Sequence, residues 1–193
     1  MEGRRIKLEE VHMNTLTINS VSSRLTAADR LDHALARLGV RRNHHRVTPG
    51  LYAVGRPDAA APVLVTANYS LSFDALRSSL SGIDAFILVL DTQGVNVWCA
   101  AGKGTFGTDE IVRRIEAVDL ARAVTHRRLI VPQLGGAGVA AHEVKLRTGF
   151  TVEYGPVDTS DLPEYLRTRK ADAGMRRVKF GIKARAVLAV IEA

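Results

Sequence analysis

A single cysteine, Cys99, lies in the segment Asn96-Val97-Trp98-Cys99-Ala100-Ala101-Gly102-Lys103-Gly104-Thr105-Phe106-Gly107-Thr108, where small residues, glycines and a soft ligand are most concentrated. A lone thiol cannot close a disulfide within the chain or complete a zinc or iron–sulfur site, which need several converging ligands. Three roles stay open for it: a nucleophile, one soft ligand to a metal held mainly by something else, or an inert core residue, a common fate of free cysteine. Trp98 and Cys99 fall on neighbouring bearings, and the small residues after them let backbone approach a flat ligand closely. The plainer alternative is a buried strand-to-helix connection.

Other chemistry-bearing residues are scattered. Gly102-Lys103-Gly104-Thr105 resembles a phosphate-binding loop only in part, because Val97 stands where the loop-closing glycine belongs and Gly104 where a metal-binding Ser or Thr belongs. Gly135-Gly136-Ala137-Gly138 has the composition to cradle a pyrophosphate at a helix start. However, the first strand lacks the dinucleotide fingerprint, and no acidic residue follows at the required distance. His126 and His142 are the histidines nearest the expected strand ends, and isolated histidines of this kind usually bond a carbonyl or cap a helix. His44 and His45 are adjacent, so in extended chain they point apart and chelate poorly.

The chain has 193 residues, 46% of them hydrophobic, enough for one well-buried domain. No apolar run approaches the ~18 residues of a membrane-spanning helix. The longest, 85–90 and 186–191, are both too short. Met1 to Glu10 is charged and has no apolar signal core, which places the chain in a reducing cytoplasm. The net charge is +7, and its excess lies at the two ends: ten Lys/Arg against five Asp/Glu in 1–56, seven against eight in 57–140, ten against seven in 141–193. A near-neutral centre argues against a site for polyanions and hence against nucleic acid. The basic run Arg41-Arg42-Asn43-His44-His45-Arg46 has no interleaved aromatic residues for base stacking, which suits a solvated loop or an acidic protein partner.

Residues 1–24 are polar and weakly periodic and read as a loosely ordered leader. Thr26 is placed to cap a helix running to Leu38, with Leu31, Leu35 and Leu38 on its apolar stripe and Gly39 at its end. Pro49-Gly50 marks a turn before a strand at 51–54. From Pro62 the pattern alternates: strands at 63–67, 85–90, 129–131 and 150–154, and helices at 73–80, 108–118, 139–147 and 161–167. Strands that are apolar throughout imply parallel neighbours covered on both faces. The expected fold is α/β, an open, mostly parallel Rossmann-like sheet with helices on both faces. Ligands in such sheets bind beyond the carboxyl ends of the strands, so the loops 66–70, 91–96, 132–138 and 155–157 should line one crevice. Their small, uncharged hydrogen-bonding residues suit a large, mostly neutral ligand with amide or carbonyl edges.

At these residues the sequence resembles the corrinoid protein of the two-protein mercury-methylating system, a relative of the large subunit of the corrinoid iron–sulfur protein of acetyl-CoA synthesis. The block Asn96 to Lys103 looks like that family's cap-helix signature. Further matching blocks are 49–55, 65–69, 71–74, 132–135, 154–157 and 175–180, so the likeness covers roughly residues 45–192. The resemblance implies a division into a leader with one helix, 1–44, and a corrinoid-binding domain, 45–193. It makes Cys99 the lower axial ligand of cobalt in a base-off corrinoid (cobalamin). Asn96, Val97, Trp98, Ala100, Ala101, Gly102 and Lys103 would form the cap helix beneath the ring, and Thr66, Asn68, Thr92, Gly94, Gln133 and Gly135 would hold the corrin amides and tail. A thiolate is a soft, electron-donating ligand, which favours release of the upper methyl to an electrophile.

The implied activity is that of a corrinoid-dependent methyltransferase: a folate-type donor methylates Co(I), methyl-Co(III) delivers to Hg(II), and a ferredoxin-like iron–sulfur partner returns electrons. The other mode of corrinoid binding uses Asp-x-His-x-x-Gly, and Asp32-His33 followed by Gly39 lacks that spacing. Members of the resembled family continue into a multi-helix membrane domain, so a membrane is expected only through a part beyond this chain, on its cytoplasmic face. A corrinoid carrier without turnover of its own is the second expectation, and a nucleotide-binding α/β enzyme the third.

Overall fold

The computed structural model describes residues 17–40 and 44–178. The start of the leader, 1–16, the Arg41–Asn43 part of the basic run, and 179–193, with the apolar run 186–191 and the end of the 175–180 block, lie outside the described residues. A six-stranded sheet organises the rest: β1 (Ile18–Val21), β2 (Gly50–Val54), β3 (Val63–Ala67), β4 (Ala85–Leu90), β5 (Arg128–Val131) and β6 (Thr151–Tyr154), in the order β1-β2-β4-β3-β5-β6. The helices are α1 (Ala27–Arg37), α2 (Ser70–Ser79), α3 (Val97–Lys103), α4 (Thr108–Ala117), α5 (Leu120–Ala123), α6 (Ala141–Thr148) and α7 (Leu162–Thr168). The expected α/β fold with an open, mostly parallel sheet is the fold observed. No helix among the described residues is long and apolar enough to cross a membrane.

Every residue of β3 and β4 is buried, because both faces of these strands are covered. Alternation of side chains along a strand divides the core in two. Val63, Val65 and Ala67, with Leu88, Leu90 and Val131, pack against Ile111 and Ile115 of α4 and Val144 of α6. Leu64, Ile87, Val89 and Ile130 pack against Phe73 and Leu76 of α2 and Leu162 and Tyr165 of α7.

Two features depart from the sequence pattern. Residues 18–21, read as leader, form β1, which pairs in parallel with β2 (Ile18↔Leu51). The strand β2, which precedes the alternating pattern that implied parallel strands, runs antiparallel to β4 (Leu51↔Leu88). The connection explains it. Val54 of β2 sits opposite Ala85, and Val63 of β3 opposite Phe86, so β2 ends at the edge where β3 begins and a short loop joins them. A parallel β2 would need a crossover of a dozen or more residues.

The helix α1 begins at Thr26, the expected N-cap, within a capping box: Asp29 N–H donates to Thr26 Oγ1 (3.2 Å) and Thr26 N–H to Asp29 Oδ2 (2.7 Å). That backbone N–H, working against burial and aided by Arg77, holds the Asp29 carboxyl at about 2. Its orientation reverses the expectation. Leu31 and Leu38 are 62% and 67% exposed, while the face turned toward α2 carries Asp29, Asp32, His33 and Ala36. Ion pairs replace apolar packing there: Arg77 Nη2 donates to Asp29 Oδ2 (2.8 Å), Arg77 Nε to Asp74 Oδ1 (2.6 Å), and His33 Nε2 lies 2.7 Å from Asp74 Oδ2. The guanidinium also donates to the carbonyls of Ser22 and Arg24, tying the β1–α1 link to α2.

Candidate functional site

The β3–α2 loop is fixed from both sides. Ser70 Oγ donates to Asp32 Oδ2 (2.6 Å), whose other oxygen accepts from His45 Nδ1 (2.6 Å). His45 Nε2 donates to the Val40 carbonyl (2.7 Å). Both ring nitrogens therefore donate when these bonds are made, and the Val40 carbonyl, then Asp32, raise the His45 pKa above its ordinary value against the opposing effect of burial. Burial pushes the Asp32 carboxyl up, but the Ser70 and His45 bonds outweigh it and hold the group low.

The next loop along the sheet edge is organised by one buried amide. Asn68 Oδ1 accepts from Thr92 N–H (3.0 Å), Thr92 Oγ1 (2.9 Å) and Gly94 N–H (2.9 Å), and Asn68 Nδ2 reaches Asp91 Oδ1 (3.3 Å). Asn68, Thr92 and Gly94, expected to hold a cofactor, thus form a clamp between the β3 and β4 loops and lie outside the crevice lining. The clamp sets the exit of β4 toward Asn96. Asn96 then caps α3, its Oδ1 accepting from Cys99 N–H at 2.9 Å.

Beyond the carboxyl ends of β3, β5 and β6 lies a crevice of about 500 Å³. Thr66, Pro132 and the run Gly155–Val157 form its floor, Ser72 and Leu76 of α2 one wall, Leu162 of α7 another, and Asn96, Val97 and Trp98 its lip. The expected loops 132–138 and 155–157 come together, through Pro132, Leu134 and Gly155–Val157, while 66–70 and 91–96 reach the crevice only through Thr66 and Asn96. Trp98 is 55% exposed and Cys99 is exposed beside it on the first turn of α3. Cys99 is therefore not an inert core residue. Ala100 and Ala101 face inward and are buried, and Gly102 and Lys103 are exposed at the end of the helix.

Gly104 ends α3 in the left-handed conformation, φ 80°, so Gly102-Lys103-Gly104 closes a helix instead of opening one around a phosphate. Nor do the 135–138 glycines open a helix: they form a tight turn beneath α3. A Cβ on Gly138 would fall 2.2 Å from the Phe106 carbonyl oxygen and 3.2 Å from Ala101 Cα, so α3 and this loop meet backbone to backbone. Gly135 is buried against Phe106. Gln133 Oε1 accepts from Arg176 Nη1 at 2.9 Å.

Residues that sequence reasoning missed come from the opposite wall and the chain's return. Asp158, Thr159 and Asp161 line the crevice, as do Arg177 and Val178. The 175–178 stretch is held there by Val157 N–H donating to the Met175 carbonyl (2.8 Å). No period or motif marks such a return, and only the resemblance block at 175–180 hinted at it. Of the two histidines singled out by sequence, one bonds a carbonyl and the other faces solvent. His126 Nε2 donates to the Ala61 carbonyl (2.9 Å), and His142 is exposed on α6. No group of three or more His, Cys, Asp or Glu that could hold a metal occurs among the described residues.

Fold and site together define a Rossmann-like α/β domain with a crevice at the strand carboxyl ends and a short capped helix at the lip. The chain belongs to the CdhD family, whose model, described as "CO dehydrogenase/acetyl-CoA synthase delta subunit", matches residues 40–166. Among its relatives are subunits named acetyl-CoA decarbonylase/synthase complex subunit gamma. That of Methanopyrus kandleri is 38% identical over 127 residues, covering 65% of this chain and 27% of the relative. That of Methanocaldococcus jannaschii is 32% identical over 128 residues (65% and 26%), and the gamma 2 subunit of Methanosarcina thermophila 38% over 117 (58% and 25%). The chain spans about a quarter of the length of these curated relatives.

These matches correct the mercury-methylation reading. That reading took 96–103 as its signature together with matching blocks across 45–192, whereas the likeness over residues 40–166 points to acetyl-CoA decarbonylase/synthase subunits. The assignment as a mercury-methylating corrinoid methyltransferase falls with it. So do the Hg(II) acceptor, the folate-type donor and the ferredoxin-like partner, none of which has support apart from that resemblance.

Proposed function

We propose that this domain holds a corrinoid, as part of a subunit in a complex of the acetyl-CoA decarbonylase/synthase kind. The observation that carries the reading is the crevice at the carboxyl ends of β3, β5 and β6, with an Asn96-capped helix whose Val97 and Trp98 line its lip and whose exposed Cys99 follows just outside the lining. The residues fit such a group in size and chemistry. Pockets of about 300–1,000 Å³ bury ligands of drug size, so a crevice of about 500 Å³ would have room for part of a corrinoid. The walls are mainly apolar, with hydroxyls at Thr66, Ser72 and Thr159 and charged groups at Asp158, Asp161 and Arg177, which suits a ligand with an apolar body and hydrogen-bonding edges. When bound, the cobalt of a corrinoid carries a one-carbon group between donor and acceptor.

The chain's own residues do the holding. Asn96 fixes the first turn of α3 by accepting from the Cys99 N–H. Cys99, the one cysteine in the sequence, would offer a thiol as a soft ligand to the cobalt. Trp98 supplies a flat apolar surface at the same level, and Ala100 and Ala101 seat the helix against the core. Thr66 supplies a hydroxyl at the crevice floor, and Gln133 an amide near the lip. Asn68, Thr92 and Gly94 hold the neighbouring loop in shape.

Anaerobic mixing of the full chain with aquocobalamin, followed by gel filtration and absorbance, tests this. The expected result is near-stoichiometric uptake, with Cys99→Ala retaining uptake but changing the cobalt spectrum. No uptake by the unaltered chain overturns the reading as a whole, and an unchanged spectrum in Cys99→Ala overturns the ligand role alone.

A further inference from the structure

The outward face of α1 is apolar where a surface helix is normally polar. Ala27, Leu31, Ala34 and Leu38, spaced 4, 3 and 4 residues apart, lie within a narrow stripe on the side opposite the buried Ala36. All four are exposed, Leu31 by 62% and Leu38 by 67%. This is the spacing of the seam by which two helices pack knobs into holes. Arg30 and Arg37 flank the stripe on one side, both exposed and neither paired with a carboxylate among the described residues. The helix's own acids, Asp29 and Asp32, are turned inward and taken up by Arg77, His45 and Ser70. The exposed face therefore combines apolar anchors with positive charge alone.

We propose that this face of α1 docks a helix of a partner protein whose apolar stripe is flanked by aspartate or glutamate. Charge selects that occupant among the candidates. A second copy packed antiparallel would set the arginines of one α1 against those of the other, and a parallel copy would leave them over the apolar flank of Ala28 and Leu35. The chain's own ends offer no excess of acid: residues 1–16 carry three Lys/Arg and three Asp/Glu, and residues 179–193 three Lys/Arg and one Asp/Glu. A helix with acidic flanks buries the leucines and pairs both guanidinium groups at once. The proposal is independent of the crevice, since α1 lies before the family-matched span 40–166.

The test uses the full chain and two labelled synthetic helical peptides, each with leucines at heptad a and d positions, one flanked by Glu and the other by Lys. Fluorescence anisotropy is expected to show the acidic peptide binding about tenfold tighter or more, with the interaction lost in Leu31→Asp/Leu38→Asp and the preference inverted in Arg30→Glu/Arg37→Glu. All these positions are exposed, so unchanged melting temperatures establish that the variants fold. Equal binding of the two peptides, absence of binding, or a preference that survives charge reversal overturns the proposal. So does a dimer in sedimentation that Leu31→Asp/Leu38→Asp dissociates, or peptide binding that appears only after removal of 1–16 or 179–193, because another occupant then covers the face.

Discussion

Helices α1 and α4 have nearly the same length, 11 and 10 residues, and both have two well-separated faces, yet they are held by opposite chemistry. The helix α4 turns Ile111, Val112 and Ile115 into the core, with its single buried acid, Glu110, satisfied by Arg114 and the Asp91 N–H. The helix α1 turns its acids and His33 inward onto Arg77, Asp74 and Ser70 and leaves Leu31 and Leu38 in water. The difference teaches that amphipathicity identifies a helix but does not say which face goes inside. When the neighbouring helix offers buried partners for charge, the polar face can be the one that packs.

The comparison is open to direct attack. The largest effect is expected on the α4 side, where Phe106, fully buried beneath the loop into α4, anchors the core. Phe106→Ala should cost about 3–5 kcal/mol in urea unfolding, from lost transfer energy and the cavity left behind. On the α1 side, Arg77→Leu should cost about 3 kcal/mol, because Asp74 and Asp29 lose their shared partner in a buried setting. Adding Asp74→Leu to that variant should recover part of the loss, whereas no second substitution of this kind repairs Phe106→Ala. Equal losses in the single and double variants would show that α1 is not held by charge.

A smaller effect should appear on titration. The His45 pKa is raised, so its share of stability is complete below the unfolded value of about 6.5 and is lost as pH rises through the higher folded value. The Asp32 pKa is lowered, so its share is present above about 3.9 and is lost as pH falls through the lower folded value. Together the pair should stabilise most between about pH 4 and 6.5. The gain is of order 1 kcal/mol at most, because solvent screens the partly exposed Asp32 carboxylate. Melting temperatures of wild type and Asp32→Asn should therefore diverge in that window and converge outside it; parallel curves across pH 3–8 would remove the pair from the account. The smallest effect is expected for Leu31→Gln and Leu38→Gln, each within about 0.5 kcal/mol by thermal melting. A loss of 2 kcal/mol or more in either would mean that the leucines are covered in the isolated chain.

Much of the fold is legible in the sequence because burial on both faces leaves a continuous apolar run, as in 63–67 and 85–90, and the observed strands keep those bounds. The N-cap at Thr26 is equally local and legible, and the structure adds the reciprocal bond from Asp29. What escaped depends on non-local partners. The strand β1 has a polar composition and lies at the sheet edge, with three of its four residues exposed, so no apolar period marks it. The direction of β2 is fixed by which strand edge its short loop must reach, not by its own residues. The inward face of α1 depends on Arg77 and Asp74, some forty residues further on.

The same division holds at the site. Glycines and an Asn cap gather around Cys99 within a few residues, so the neighbourhood was legible, and Asn96, Val97 and Trp98 do line the crevice. Thr92 and Gly94 look identical in sequence to ligand-facing loop residues. Their hydrogen bonds to Asn68 span more than twenty positions and turn them into a clamp. The block 96–103 also carried more weight than it could bear in choosing among relatives, since the longer framework shared over residues 40–166 points to a different complex.

The contact between Gly138 and the backbone of Ala101 and Phe106 has a mechanical consequence. No side chain lies between the two main chains at that point, so nothing there can change rotamer, compress or be traded for a slimmer residue. The lip carrying Trp98 and Cys99 rests on a hard stop: it cannot sink toward the sheet alone, and any descent must carry the 132–138 loop with it. Loop and helix should therefore move as one body, their displacements correlated in any ensemble of this domain, and the height of the thiol above the strand ends becomes a property of the backbone.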